Sequence, residues 1–239
     1  MRLILASSLL AASTLAVAST PAAADPMADA KAIIEAHRAM PVFAAPGEPF
    51  DAKPCMADKK VLSIPISMTI PFNVELQKAM ASAAAEVGFT YTTWDNQLKL
   101  DQWVQGISQA ISQDYDVVDL AGGLNPEVLG PQLSEARAAG LKISTTHFYD
   151  VTQPAVESVD YSGKADFTGA GKLLAAWAYA QTEGKPNVLI IGSSDVLPSI
   201  PFVQSIQDQL KALCPECKQT HLDVPVSEWA TKIQSGTQS

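Results

Sequence analysis

The sharpest chemical motif in the sequence is Cys214-Pro-Glu-Cys217. A CxxC pair serves as a redox couple, as half of a zinc site or as a short structural disulfide. Zinc takes four ligands; His221 is near, but no fourth ligand is. Redox pairs sit at a helix N-terminus, where the dipole favours the thiolate. Here the pair follows an expected helix, Phe202 to Leu213, and meets its negative end. A structural disulfide in an oxidising compartment fits these constraints best, with Cys55 left over as a free thiol. Gly192-Ser-Ser-Asp195 follows an apolar run and invites a hydrolase reading. The nucleophile elbow needs G-x-S-x-G, which this is not, and the base would have to be His147 or His221. The plainer reading is a strand-to-helix loop whose hydroxyls and amides face a crevice. Gly122-Gly123 lacks both the G-x-G-x-x-G spacing and the P-loop lysine, and reads as a turn or a close backbone approach. His37, His147 and His221 are far apart, so no shared metal and no cofactor are expected. No nucleophile–base pair, metal cluster or phosphate loop argues for an enzyme.

These residues gain meaning from the elements that carry them. Val61-Leu-Ser-Ile-Pro-Ile-Ser67 is a short apolar run suited to a buried parallel strand. Pro71 opens a helix in which Val74, Leu76, Met80, Ala84 and Val87 recur, with Gly88 at the C′ position. Further strands are expected at 89–94, 116–121, 141–146 and 155–159, and helices at 100–111 and 125–139. Strand and helix alternate in steps of roughly 25 residues, the pattern of βαβ units. The expected fold class is therefore α/β, a doubly wound parallel sheet with helices on both faces, with a complete first lobe over 61–160. A second lobe over 161–239 begins with a helix (165–182), a strand (187–191), a helix (202–213), a strand (219–222) and a helix around 229–233. Two strands do not complete a doubly wound sheet. The sequence is therefore expected to stop within its second domain, as a fragment or a shortened reading frame.

In open α/β sheets, ligands bind beyond the carboxyl ends of the strands. Ser67-Met-Thr69, Trp94-Asp95-Asn96, Gly122-Gly123 and His147-Phe148-Tyr149 fall at such ends. They mix aromatic faces with hydroxyl, amide and imidazole groups and hold no Arg or Lys, which suits a small neutral polar ligand. The candidate ligand-binding residues are Ser67, Thr69, Phe72, Trp94, His147, Phe148, Tyr161 and Ser194. Phe72 and Phe148 are placed to stack on the apolar face of a ring.

Apolar residues are 47% and charged residues 17% of the 239, a globular rather than a disordered composition. The net charge of −9 repels phosphate backbones and argues against nucleic acid. Met1-Arg2, the apolar stretch 3–19 and Ala22-Ala23-Ala24 have the form of a secretory signal peptide cleaved after Ala24. Export, to the periplasm in a Gram-negative cell, is the expectation. Residues 25–60 read as a short helix followed by a Pro-rich strap lying on the main body, with Pro41, Pro46, Pro49 and Pro54 forbidding regular structure through Lys53.

From Lys60 to Ser239 the chain resembles a type I periplasmic binding protein of the ribose/galactose-binding kind. The residues that carry this are Val61 to Ser67, Ile70-Pro71-Phe72, Val87-Gly88-Phe89, Asp116-Val-Val-Asp-Leu120 and Ala138-Ala-Gly-Leu-Lys-Ile143. Ser158-Val-Asp-Tyr-Ser162 resembles the crossing between lobes, and Gly169-Ala-Gly171 the helix after it. Cys214-Pro-Glu-Cys217 with Asp223-Val-Pro-Val-Ser-Glu-Trp229 resembles one branch of sugar-type binders. The resemblance implies a two-lobed, monomeric protein that captures a sugar-like ligand without chemistry. It would deliver that ligand to an ABC permease in the inner membrane, or present it to a membrane receptor or kinase. It does not imply ribose. His147-Phe148 stands where the ribose binders have an Asp-Arg pair, Ile70 where they have Asn, and no Arg falls within 199–202.

Overall fold

The structure, a computed structural model, describes residues 25–42, 44, 47–122, 125–154 and 156–238. Residues 1–24, the expected signal peptide, and Gly123 lie outside them. Helix α1 (Pro26–Ala36) is capped by the Asp25 carboxylate, which accepts from Met27 N. It packs on the second lobe, where Ala30 is fully buried against Ala176, Tyr179 and Leu213. The strap that follows differs from expectation. Met40, Val42 and Phe50 are exposed rather than laid on the body, and a helical turn α2 (Lys53–Met56) starts inside it, with Pro54 accommodated near its start.

Five strands then form one parallel sheet: β1 (Lys60–Pro65), β2 (Thr90–Thr93), β3 (Val117–Ala121), β4 (Lys142–Asp150) and β5 (Tyr161–Ala165), in the order β2-β1-β3-β4-β5. The connections are α3 (Pro71–Val87), α4 (Leu100–Ser112), and a 3-10 turn (Pro126–Leu129) leading into α5 (Gly130–Ala138). Gly88, at φ 97°, ends α3 in the left-handed conformation that a Cβ disfavours. The fifth strand starts at Tyr161, not within 155–159, so the first sheet extends past residue 160. Val156 and Val159 do not enter the sheet; Val159 instead buries itself in the core, with Val156 packed against it.

The two faces of this sheet differ in chemistry. Leu62, Ile64, Val118, Leu120 and Ile143 pack with Trp103 and Ile107 of α4 and Leu133 of α5. On the other face, a central rung of the same strands is polar. Thr93, Ser63, Asp119, Ser144 and Tyr161 share one rung of the register. Asp119 accepts hydrogen bonds from Ser63 Oγ (3.0 Å), Ser144 Oγ (2.8 Å) and Thr146 Oγ1 (2.8 Å). Gln77 of α3 closes this network, donating to Ser63 Oγ and accepting from Tyr91 and Thr93. The buried positions of α3 are Asn73, Gln77 and Ala84; of the apolar series expected from periodicity only Ala84 is among them. Gln77 is buried there because the hydroxyls of a polar rung need partners once they leave water.

Past β5 the chain enters the second lobe: α6 (Phe167–Gln181), β6 (Asn187–Gly192), α7 (Ser199–Leu213), β7 (Lys218–Asp223), a 3-10 turn (Val226–Glu228) and α8 (Trp229–Thr237). β6 and β7 make a separate two-stranded parallel sheet. Ala175 of α6 and Val203, Ile206 and Leu210 of α7 bury Ile190. Cys214 and Cys217 form a disulfide at the end of α7, in the apolar seat that also holds α1. Cys55 is exposed and free. The lobes touch: Val226 is buried in the first-lobe core cluster, with Val196, Leu197 and Trp229 against it.

Candidate functional site

A cleft of about 380 Å³ opens where the carboxyl ends of β1, β3 and β4 face the second lobe. The first lobe supplies Ile66, Ile70, Phe72, Asn73, Gly122 and His147. The second supplies Phe167, Val196, Pro198, Ser199, Phe202 and Trp229.

His147 stands at the centre of the aromatic wall. Its ring lies 4.7 Å from that of Phe72 and 4.9 Å from that of Phe167, centroid to centroid. The backbone puts it there: β4 does not stop at Thr146 but runs on to Asp150 through an irregularity in register. His147 takes φ 55° within it, a left-handed conformation that His tolerates better than most residues. The kink turns His147 toward the cleft and the next two side chains inward. Burial holds the His147 imidazole below its ordinary pKa of 6.5, so it is neutral at neutral pH.

Asn73 and Gly122 form the floor. Asn73 is 2% exposed and donates Nδ2 to the Ser67 carbonyl at 2.8 Å, which ties the first turn of α3 to the end of β1. Gly122, at φ 90°, leaves room for that amide. On the second-lobe side, Trp229 Nε1 donates to Ser193 Oγ (2.8 Å) and to Val224 O (3.1 Å), which fixes the indole. Ser199 Oγ accepts from Ser193 N at 2.9 Å.

Of the residues expected at the site, Phe72 and His147 meet in this cleft. The others go elsewhere. Ser67 is fully buried and makes the β1–α3 turn: its Oγ pairs with Thr69 Oγ1 at 2.7 Å and accepts from Thr69 N. Thr69 is exposed at that turn, outside the lining. Trp94 packs on the first-lobe core beside Ile64 and Gly106. Phe148 is 1% exposed within that core, so its ring cannot stack on a ligand. Tyr161 is 71% exposed at the first residue of the edge strand, level with Ser144 and away from the carboxyl ends. Ser194 donates both N and Oγ to the Asp223 carboxylate at 2.7 Å, in a neighbouring pocket of the second lobe. These bonds hold the Asp223 carboxyl below its usual value. Neither Ser193 nor Ser194 bonds a histidine; Ser193 Oγ donates to Val224 O.

Sequence reasoning missed Asn73, Phe167, Phe202 and Trp229. Asn73 carried a signal, as a carboxamide in the first turn of a Pro-started helix beside a strand end. The second-lobe aromatics carried none, because only the approach of the lobes brings them to β4.

The periplasmic binding protein domain matches residues 61–237. The chain belongs to that family. No curated protein matches it in sequence. Among solved structures, this periplasmic binding protein domain is similar to an ABC sugar transporter subunit from Rhodobacter sphaeroides (20% identity, TM-score 0.60, 75% of this chain and 61% of that one). It is also similar to an ABC transporter solute-binding protein from Agrobacterium vitis solved with allitol (18% identity, TM-score 0.62, 77% and 61%). A third is a glucose-galactose binding protein from Geobacillus stearothermophilus (19% identity, TM-score 0.61, 76% and 62%). At these identities the likeness is one of fold: the type I periplasmic binding protein α/β architecture with its five-stranded parallel sheet. The chain spans about three-fifths of the length of each of these relatives.

Proposed function

We propose that this protein is an exported solute-binding protein that captures a small, neutral, sugar-like ligand between its lobes and delivers it to an ABC importer. Residues 1–24 act as its signal peptide, and it works in the periplasm as a monomer, with the inner-membrane permease as its partner. The observation that carries this reading is the cleft itself. It lies at the carboxyl ends of a parallel sheet, is walled by Phe72 and His147 of the first lobe, and is faced by Phe167, Phe202 and Trp229 of the second. Its volume falls in the range of small-molecule sites. The function needs no bond-making: ligand contacts from both lobes favour the closed arrangement over the open one, and the membrane partner reads the difference. Family membership supports the same reading, as do the sugar and polyol ligands named for the structural relatives.

A thermal-shift screen of the full chain against sugars, polyols and small aromatic acids tests it. A ligand that binds only the folded form at a hundredfold excess over Kd adds about 2.7 kcal/mol of stability. A clear rise in Tm with one ligand class, lost when Phe72 is replaced by Ala, is expected. A cooperative melt that no compound moves, or chemical turnover of any of them, overturns it.

A further inference from the structure

The polar side chains that line the cleft are Asn73, His147, Ser199 and Trp229, and several of their atoms are committed to the protein, which leaves Asn73 Oδ1, the Ser199 hydroxyl hydrogen and the His147 ring nitrogens to a ligand. Asn73 Nδ2 is bound to the Ser67 carbonyl, Ser199 Oγ accepts from Ser193 N, and Trp229 Nε1 donates to Ser193 Oγ and Val224 O. The remaining wall is carbon: Ile70, Phe72, Phe167, Val196 and Phe202. His147 joins it as a ring flanked by two phenyl groups. No charged side chain is among the described residues that line the cleft. Lys99 and Asp195 line a separate cavity of about 150 Å³, which shares only Ile66 with it.

A fully hydroxylated sugar needs a partner for each hydroxyl taken from water, because a buried polar group left unpaired is penalised. Planar groups that take two hydroxyls at once, carboxylates and guanidinium, are the usual means. This cleft instead offers extended apolar surface and few uncommitted polar atoms. Apolar carbon gains by leaving water in proportion to its area, and ring faces gain further against aromatic side chains.

We propose that the cleft selects uncharged ring compounds with an apolar face and few hydroxyls (deoxy, O-alkyl or aryl-substituted sugars) over their fully hydroxylated parents. This rests on the ligand-capture reading above and sharpens it.

The test is calorimetric titration of the full chain with matched pairs: L-fucose against L-galactose, L-rhamnose against L-mannose, and phenyl β-D-galactopyranoside against D-galactose. The expected result is that at least one substituted member binds ten-fold or more tightly than its parent. Phe72→Ala, whose melt is checked first, erases that margin. Should Phe72→Ala not fold, Phe72→Leu, which keeps carbon but removes the ring, is titrated instead and must narrow the margin. If every parent binds as tightly as its partner, or if only polyols from the wider panel bind, the selectivity falls and ligand capture stands. If nothing binds at all, capture falls, and the selectivity with it.

Discussion

Asn73 and Gly122 pack so closely that a Cβ on Gly122 would stand 3.0 Å from Asn73 Oδ1, and 3.3 Å from Ile66 Cγ2. Gly122 also holds φ 90°, where an L side chain is strained by about 1–2 kcal/mol. Gly122→Ala is therefore expected to lower stability by about that amount and to weaken ligand binding, since it displaces the floor of the cleft. Urea denaturation and titration measure the two effects. An unchanged urea midpoint contradicts the packing described.

Two neighbouring phenylalanine assignments separate cleanly. Phe148 is 1% exposed and Phe72 is 50% exposed. Phe148→Ala should cost about 3–5 kcal/mol, the range for a large aromatic removed from a core. Phe72→Ala should cost about 1 kcal/mol, roughly half the value of burying a phenyl ring fully, while reducing ligand affinity strongly. The opposite pattern in paired melting and binding measurements would reverse the assignment of core and site.

His147 provides a pH signature. Burial lowers its pKa from 6.5, so the imidazole gains charge only at pH values below that. Affinity for a neutral ligand should stay flat from pH 8 to 6.5 and fall only further into acid, where a cation appears in an apolar wall. In His147→Gln the acid-side fall should vanish. A midpoint above 6.5 for the loss of binding would contradict this.

Asp119 and Asp150 should bound stability from opposite sides. Burial raises the Asp119 carboxyl, and the bonds from Ser144, Thr146 and Ser63 only partly offset this. A raised folded-state pKa contributes stability that is full below the unfolded value near 3.8 and is lost as pH rises through the folded one. Burial pushes Asp150 up too, but bonds from Thr152 (Oγ1 2.5 Å, N 2.8 Å) and Thr168 N (2.7 Å) outweigh it and hold it at about 2. Its contribution is full above 3.8 and is lost as pH falls from there through about 2. Across urea midpoints from pH 2 to 8, Asp119→Asn should remove decline on the alkaline side only, and Asp150→Asn on the acid side only. A constant offset between Asp119→Asn and wild type at every pH would refute the first half.

The disulfide forms part of the seat of α1, where Cys214 is 3% exposed beside Ala30. Reduction, or Cys214→Ser with Cys217→Ser, should raise hydrogen exchange across Pro26–Ala36 and lower Tm, with ligand affinity unchanged. Exchange confined to the Cys214–Cys217 turn itself would show that α1 docks independently of the disulfide.

The sequence by itself determined the order of elements in the first lobe. Apolar runs such as Val61 to Ser67, the Pro71 start and the Gly88 stop are local signals, and local sterics and hydrogen bonding decide them. It also put His147 at the carboxyl end of a strand. Tertiary structure alone decided the rest. Ser63 sits in a run that reads as an apolar strand and Asp119 in a strand read only from its position; the register alone brings them together in a polar rung, and with it explains why Asn73 and Gln77 are buried in α3. The irregularity in β4 sends His147 to the cleft and Phe148 to the core, although a strand's period of two places adjacent residues on opposite faces with no preference for which. Phe167, Phe202 and Trp229 reach the cleft because the lobes pack together. Contacts between residues so distant in sequence have a free energy set by the whole fold, and no local pattern encodes them.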